Sequence, residues 1–486
     1  MSGINPARRW QPAFYPFKKE KFSRRLLAKI ELCAKGPLFG CRMCGNCLLQ
    51  ETAFICPMEC PKGMRNGPCG GVTAEKNCYV DETRKCIWYA IYNRSLKTGR
   101  EEKLLEVLPP LDWIKTGTET WGDVAKQIRK TGSGHFVKSL LCRDKSRKDE
   151  AWDKVFKTIR QPEWWNGDSE YHKPKYIEPV SVLEGNLRAG KFVIATEITP
   201  PLSSGTSKLI NDIALVKPWV SVINFTDSSS ASPRMSSLAC CKTTVDNDAE
   251  PVLQIAARDT TRTGLQSSAI GINSLGIKNI LCITGDSSKV GPSPTSNMNF
   301  VDIDSIQMLW ILRRMRDEGI YLDGRKMKEP PKYFLGAASA PLASDPVLQA
   351  IHDQKKVNAG AQFIQTNLVF EPELLDLWLE QLDKRGVLEK VFILLGVAPL
   401  KSYKLAEYLH TMVPGVRLPK SVLDRMQKAG EGAPEEGVRI ALEIIDKAKS
   451  KKGISGIHLM TMGWESIVQR IVTESGICPP SPLNGV

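Results

Sequence analysis

The chain has 486 residues, of which 42% are hydrophobic and 25% charged, an ordinary globular composition long enough for two or three domains with full-sized cores. That excludes a disordered chain and a collagen-like fibre, and the longest apolar runs, such as Val391 to Val397, are strand length, far short of the roughly 18 to 20 residues that cross a bilayer. Lys and Arg exceed Asp and Glu by 14, and residues 1 to 40 alone hold nine basic against two acidic side chains, so about half of the excess is local.

This opening segment mixes its charge with Trp10, Phe14, Tyr15 and Phe17 and has neither the apolar core nor the small-residue cleavage site of a signal peptide, so a cytoplasmic protein is expected. No zinc finger, RNA-binding sheet or basic zipper accompanies the charge, which argues against nucleic acid. It reads as a solvated or partner-docking arm, with an acidic protein or polyanionic substrate as the functional version.

Nine of the fourteen cysteines lie between Cys33 and Cys86. From Cys41 the order is Cys41-x2-Cys44-x2-Cys47-x8-Cys56-x3-Cys60-x8-Cys69-x8-Cys78-x7-Cys86, eight thiols within 46 residues. A disulfide scaffold would need export, and a reducing cytosol opposes it. Structural zinc takes two well-separated Cys-x2-4-Cys knuckles, whereas three thiols at successive two-residue gaps wrap one cubane. The spacing therefore favours iron-sulfur, as one or two [4Fe-4S] clusters or one cluster with zinc in place of the second. The turns at Cys56-Pro-Met-Glu-Cys60 and Asn66-Gly-Pro-Cys69-Gly-Gly leave backbone N–H groups for cluster sulfurs. Cys142, Cys240, Cys241, Cys282 and Cys478 read as small buried hydrophobes.

Residues 131 to 185 are poorly periodic, with a charge-dense Arg143 to Asp149 and Trp164-Trp165-Asn166-Gly167, and read as a linker. Beyond it strand-like runs recur eight times, at Phe192 to Ile198, Ser221 to Asp227, Pro251 to Ala257, Asn279 to Gly285, Tyr333 to Ser339, Phe363 to Asn367, Val391 to Val397 and Gly456 to Met462. Most starts fall 28 to 30 residues apart, and the gaps carry helix patterns such as Ile303 to Arg316 and Pro372 to Lys384. The fold class predicted is α/β, a (β/α)8 TIM barrel over residues 186 to 486, preceded by a small cysteine-rich metal-binding domain over residues 1 to 130. A doubly wound sheet is the alternative, but its glycine-rich phosphate turn is missing; Glu197-Ile-Thr-Pro-Pro follows the first run.

Barrel chemistry sits at the carboxyl ends of the strands, and these ends are polar: Thr196-Glu197, Asn224-Phe-Thr226-Asp227, Arg258-Asp259, Thr284-Gly285-Asp286 and Gln365-Thr-Asn367. Glu197 and Asp286 should converge on one mouth as an acid/base pair, against the plainer reading of helix-capping or salt-bridged acids. His135, His172, His352, His410 and His458 show no metal-ligand spacing, and neither a nucleophile elbow nor a Walker loop occurs. Lys355-Lys356 could clamp a phosphate or be a solvated helix face.

Lys191-Phe-Val-Ile-Ala-Thr-Glu197-Ile-Thr-Pro-Pro, Asn224-Phe-Thr226-Asp-Ser, Ala257-Arg258-Asp259-Thr-Thr-Arg262, the Ser274 to Asp286 run and Ala359-Gly-Ala-Gln-Phe-Ile-Gln365-Thr-Asn367 resemble, in order, methylenetetrahydrofolate reductase over about residues 186 to 480. Phe39-Gly-Cys41-Arg-Met-Cys44-Gly-Asn-Cys47 and Cys60-Pro-Lys-Gly-Met-Arg-Asn-Gly-Pro-Cys69-Gly-Gly resemble the small iron-sulfur subunit that accompanies this reductase in acetogenic bacteria, so the chain looks like a fusion of the two. The resemblance implies a flavin-binding barrel that converts 5,10-methylenetetrahydrofolate to 5-methyltetrahydrofolate, or the reverse, exchanging electrons with a ferredoxin-like or other redox protein. It implies that Glu197 is the acid protonating N10 and that Asp286 is the carboxylate between pterin and flavin. Thr226, Gln254, Gly285, Asp286, Ala338, His352, Lys355 and Lys356 would hold the cofactor, and Glu197, Gln365, Asn367 and Tyr403 the folate. Ser339-Ala-Pro341 stands where the family has Tyr-Pro-Glu, which favours FMN over FAD; Gln254 replaces a family His and Asn367 a family Gln, with Gln365 on the same strand face. A corrinoid-linked folate methyltransferase and a non-catalytic redox or assembly subunit are the other classes, and a homo- or hetero-oligomer is open.

Overall fold

A strand buried on both faces needs apolar side chains at nearly every position, and the eight runs supply them. In the computed structural model, which describes residues 21–73, 75–142, 150–151, 155, 165, 169–293, 301–343, 345–413 and 415–478, these runs form eight parallel strands. Following a short hairpin of β1 (Asn77–Cys78) and β2 (Asp81–Lys85), they are β3 (Val193–Ile198), β4 (Val222–Phe225), β5 (Pro251–Ala256), β6 (Asn279–Ile283), β7 (Phe334–Ser339), β8 (Phe363–Leu368), β9 (Phe392–Val397) and β10 (Ile454–Met460). Each pairs with the next and β10 returns to β3, closing the expected eightfold barrel. The basic arm up to residue 20, Arg143 to Asp149 and Trp164 lie outside the described residues.

The long intervals after β6 and β9 have visible causes. Helix Ser305–Asp317, opened by an Asp304/Gln307 capping box, is buried along almost its whole length. Three helices, Tyr403–Met412, Lys420–Ala429 and Ala433–Lys449, separate β9 from β10. The amino end of the barrel is plugged by the short helix Val182–Arg188, whose Leu183 and Leu187 pack on Val193, Val222, Val252, Leu281, Phe334, Phe363 and Leu394. Each such side chain, fully buried, contributes about 1.5–3 kcal/mol. Phe334 and Phe363 stack at 4.9 Å, and the space exists because residue 336 is glycine; a Cβ there would lie 2.2 Å from the Phe363 ring.

The chain divides into two compact units, Met1–Gly67 with Cys86–Asp168 and Leu322–Gly324, and Pro68–Lys85 with Ser169–Tyr321 and Arg325–Val486. This differs from the division expected from sequence. Pro68–Lys85, with Cys69 and Cys78, groups with the barrel, and Ser133–Leu141, expected to be linker, is a helix of the first unit.

The first unit is built on helices Phe22–Phe39, Ile87–Thr98, Trp121–Thr131 and Ser133–Leu141. Long loops are fixed by side chains that satisfy backbone groups. Asn66 exchanges hydrogen bonds with both the N–H and C=O of Leu108, Trp88 donates to Met64 O, and Trp165 donates to Val107 O. No helix among the described residues is long and apolar enough to cross a membrane.

Candidate functional site

Side chains alternate along a strand, so residues two apart share a face. Above the apolar plug, the positions on the faces of Val193, Val222, Val252 and Phe363 carry Glu197, Asn224, Gln254 and Gln365, and His458 joins them from β10. Gln254 Nε2 donates to Glu197 Oε2 at 3.1 Å, and His458 Nε2 lies 3.6 Å from the same oxygen. Thr461 Oγ1 donates to the Glu197 carbonyl at 3.2 Å. No hydrogen bond of the described residues engages Glu197 Oε1, and the side chain keeps 16% of its surface exposed.

Asp286 is held from another direction. After β4 the chain turns through Ser228, Ser230 and Ala231 at φ of 49, 54 and 50°, left-handed conformations that cost about 1–2 kcal/mol each in an L-residue. The turn aims the Ser230 N–H at Asp286 Oδ2, 2.7 Å away. Arg258 donates from Nη1 to the Asp286 carbonyl at 3.0 Å and pairs with Asp259 at 2.5 Å. Gly285 takes φ +79°, and a Cβ would meet Ala256 Cβ at 3.0 Å and Arg258 Cβ at 3.2 Å, so the turn into the acid packs closely on the end of β5.

The other expected residues fall differently. Thr226 Oγ1 is buried and has no hydrogen-bond partner among the described residues, and Ala338 is exposed at the end of β7 although its strand neighbours are buried. His352 is buried on helix Pro346–Ala359, and burial, with the Lys356 and Lys355 charges, holds its imidazole well below its ordinary pKa and therefore neutral. Lys355 is buried at 2% exposure. Lys356 is an internal counterion, bonded to Asp353 Oδ1 and the Ala338 carbonyl at 2.8 Å each, so neither lysine is the solvated helix face that charge pattern allowed. Asp353 also accepts from Ser339, Gln349 and Trp378, so this network locks the helix to β7.

Gln365 is buried deeper than the sequence implied and exchanges amide hydrogen bonds with Asn224 at 2.6 and 3.2 Å. Asn367, half-buried at the rim, accepts from Leu368 N. Tyr403 opens a helix beyond β9, and none of the hydrogen bonds of the acid cluster reaches it. Sequence reading passed over His458 because it looked for metal spacing; the available signal was its lumen-facing position two residues before the end of β10.

In the first unit Cys41, Cys44, Cys47 and Cys56 line one cavity with Lys35, Met58 and Arg65. The loop is drawn tight by Gly45, at φ +69°, where a Cβ would lie 2.1 Å from the Lys115 carbonyl. The amide two residues on donates to three of the thiols, from Met43 to Cys41, Leu49 to Cys47 and Met58 to Cys56. Burial pushes the Cys41 thiol up to about 11, and burial with the neighbouring thiols raises Cys56 as well. Lys35 Nζ lies 3.8 Å from Cys47 Sγ and is anchored by Glu31 at 2.5 Å and Thr120 at 2.9 Å. Burial works against the Lys35 charge, but Cys47 and Glu31 carry its pKa above the ordinary value. Among the described residues no three His, Cys, Asp or Glu side chains converge tightly enough to hold a single metal ion. Cys60 and Cys86 belong to the first unit, and Cys69 and Cys78 to the second.

Fold and site together define a closed parallel α/β barrel with two carboxylates at the carboxyl ends of its strands. Residues 182–476 match the methylenetetrahydrofolate reductase family, and the chain belongs to that family. Residues 23–114 match a second family, described as the methylene-tetrahydrofolate reductase C terminal. Methylenetetrahydrofolate reductase 1 of Schizosaccharomyces pombe is 22% identical over 298 residues, 59% of this chain and 46% of that protein, so the match spans less than half of that relative. Among solved structures, an uncharacterized Clostridium thermocellum protein that binds two copies of 5-methyl-5,6,7,8-tetrahydrofolic acid is 13% identical at a TM-score of 0.44, covering 61% of this chain and 98% of that one. A putative deoxyribose-phosphate aldolase from Toxoplasma gondii ME49 is 12% identical at a TM-score of 0.31, covering 62% and 97%.

Asp227, whose Oδ2 accepts from Ala256 N at 2.9 Å, has its pKa raised by burial and by Asp259, against that hydrogen bond and Arg258. A raised folded value means that the folded protein keeps this proton to higher pH than the unfolded chain, so the group's contribution to stability falls as pH rises from 3.8 through the folded value. Asp227→Asn, which keeps the acceptor, is expected to raise the melting temperature above that window and to leave it unchanged below. Melting curves across the range check this, and an equal offset at every pH contradicts it.

Proposed function

We propose that the chain interconverts 5,10-methylenetetrahydrofolate and 5-methyltetrahydrofolate at the barrel mouth with bound FMN, and exchanges electrons with a ferredoxin-like or other redox protein through thiolate-held iron-sulfur clusters. The observation that carries the reading is that Glu197, supported by Gln254 and His458, and Asp286, bonded to Ser230, both stand at the carboxyl ends of strands in a reductase-family barrel.

The residues present suit a flavin. Among the described residues the buried Thr226 hydroxyl has no hydrogen-bond partner, and Ala338 is exposed at the β7 end. Thr226, Gln254, Gly285, Asp286, Ala338, His352 and Lys355 are the residues proposed to hold it, and the Ser339-Ala-Pro341 sequence favours FMN over FAD. When bound, the flavin supplies or accepts a hydride at N5.

Glu197 then has a defined task. Its carboxyl group delivers a proton to N10 of the folate, the C–N bond to N10 breaks, and the five-membered ring opens to an iminium cation. The Gln254 amide orients the acid from one side and His458 flanks it on the other. Asp286 offers negative charge to that cation and hydrogen-bond acceptors to the pterin. Asn367 lies at the rim for further pterin contacts; Gln365, paired with Asn224, would act by holding the floor of the site.

For the thiol centre, the amide groups beside the sulfurs and the Lys35 ammonium offset part of the burial that raises these thiols, and the same donors would serve cluster sulfurs. Cys41, Cys44, Cys47 and Cys56 are proposed to hold one [4Fe-4S] cluster, which transfers single electrons. Cys60, Cys69, Cys78 and Cys86 are the remaining ligand candidates, for a second cluster or for zinc.

Glu197→Gln is expected to retain flavin and to lose turnover by about 100-fold or more, the range of a general acid; turnover within a few-fold of the parent enzyme would contradict the assignment. Cys44→Ser, assayed under argon, is expected to lower the iron content and abolish turnover driven by a reduced ferredoxin while sparing turnover with artificial donors. Equal loss with both donors contradicts this division of labour.

A further inference from the structure

The hairpin formed by β1 (Asn77–Cys78) and β2 (Asp81–Lys85) belongs to the same compact unit as the barrel. It is pinned to the loop that follows β6. Tyr79 Oη accepts a hydrogen bond from Ser287 N at 2.9 Å, and Lys289 Nζ donates to the Val80 carbonyl at 2.9 Å. A third tie runs from Arg417 Nη2 to Thr73 O at 3.1 Å, and residue 415 must be glycine because a Cβ would lie 2.8 Å from the Gly70 carbonyl. The Tyr79 ring lies directly on Gly71, where a Cβ would come within 2.4 Å of two ring carbons, so backbone sets the direction of the phenol.

The Asp286–Ser287 peptide is thereby clamped at both ends. Its carbonyl accepts from Arg258 and its N–H donates to Tyr79. Ser287 is completely buried, so its amide has no water to turn to if the phenol oxygen is removed. A peptide that rotates to find another acceptor also moves its carbonyl, and with it the Asp286 carboxylate that Ser230 N holds on the opposite side.

We propose that Tyr79 is a positioning residue for Asp286, so that the thiol-bearing hairpin sets the placement of the barrel's second acid. The inference rests on the role given above to Asp286. Cys78 is the preceding residue, so one thiol of this hairpin lies beside the phenol that holds the Asp286–Ser287 peptide.

The test is a double-mutant cycle on the full FMN-loaded chain. Tyr79→Phe keeps the ring and removes only the acceptor. It is expected to change FMN affinity by no more than Asp286→Asn does and to slow oxidation of the reduced flavin by 5,10-methylenetetrahydrofolate about tenfold, the size of a misplaced charge-stabilising group. In an Asp286→Asn background the same substitution should add no further slowing. Gly71→Ala, which displaces the ring by contact, should show the same pattern, so the result does not depend on one variant folding well. A tenfold loss that persists in the Asp286→Asn background, or no loss in Tyr79→Phe, overturns the inference while leaving Asp286 in its role. If Asp286→Asn alone is as fast as the parent protein, the underlying reading of Asp286 fails instead.

Discussion

Every second residue of a barrel strand points into the lumen, and the lumen has to be filled without leaving polar groups unpaired. In this chain an apolar plug of Leu183, Leu187, Phe334 and Phe363 occupies the amino end, and an amide layer of Asn224, Gln254 and Gln365 lies above it. The amides satisfy one another or the acid, and that pairing is what allows a carboxylate such as Glu197 to sit half-buried in a low-dielectric mouth. Gln254 donates to Glu197, and His458 supplies an imidazole from β10, the strand paired with β3.

The two candidate centres follow a common electrostatic plan. Each places ionisable groups in a poorly solvated pocket and surrounds them with fixed backbone donors, from Met43, Leu49 and Met58 at the thiols and from Ser230 at Asp286. In each, cations are held by acids, Lys35 on Glu31 and Arg42 on Glu59 at the thiols and Arg258 on Asp259 at the barrel. Fixed dipoles and tethered charges act on a bound group without reorganising, which is how a protein sets a potential or stabilises a developing charge.

The architecture was legible because parallel strands buried on both faces produce continuous apolar runs, and all eight runs became strands. The polar strand ends were legible for the same reason, since Glu197, Asn224 and Gln365 interrupt apolar runs, whereas Gln254 drew notice only through the family resemblance. What sequence could not supply was pairing. Lys356 read as a phosphate clamp or a solvated face, but its ammonium is used by Asp353, and Gln365 read as a pterin contact, but its amide is used by Asn224. Asn224 lies 141 residues from Gln365, where no spacing rule reaches; Asp353 is only three residues before Lys356, but an i,i+3 pair reads the same on a solvated face as on a buried one. The hairpin Pro68–Lys85 was assigned with its neighbouring cysteines, because nothing in its composition signals that Tyr79 and Val80 bond to the loop after β6.

The account stands or falls on electron transfer between a flavin at the barrel mouth and a folate one-carbon unit. The direct measurement is anaerobic rapid mixing of the photoreduced, FMN-loaded protein with 5,10-methylenetetrahydrofolate, following flavin absorbance and folate product together. The account predicts that oxidised flavin returns as one 5-methyltetrahydrofolate forms per flavin. A flavin that stays reduced in the presence of excess substrate, or a protein that takes up no flavin at all, would contradict it.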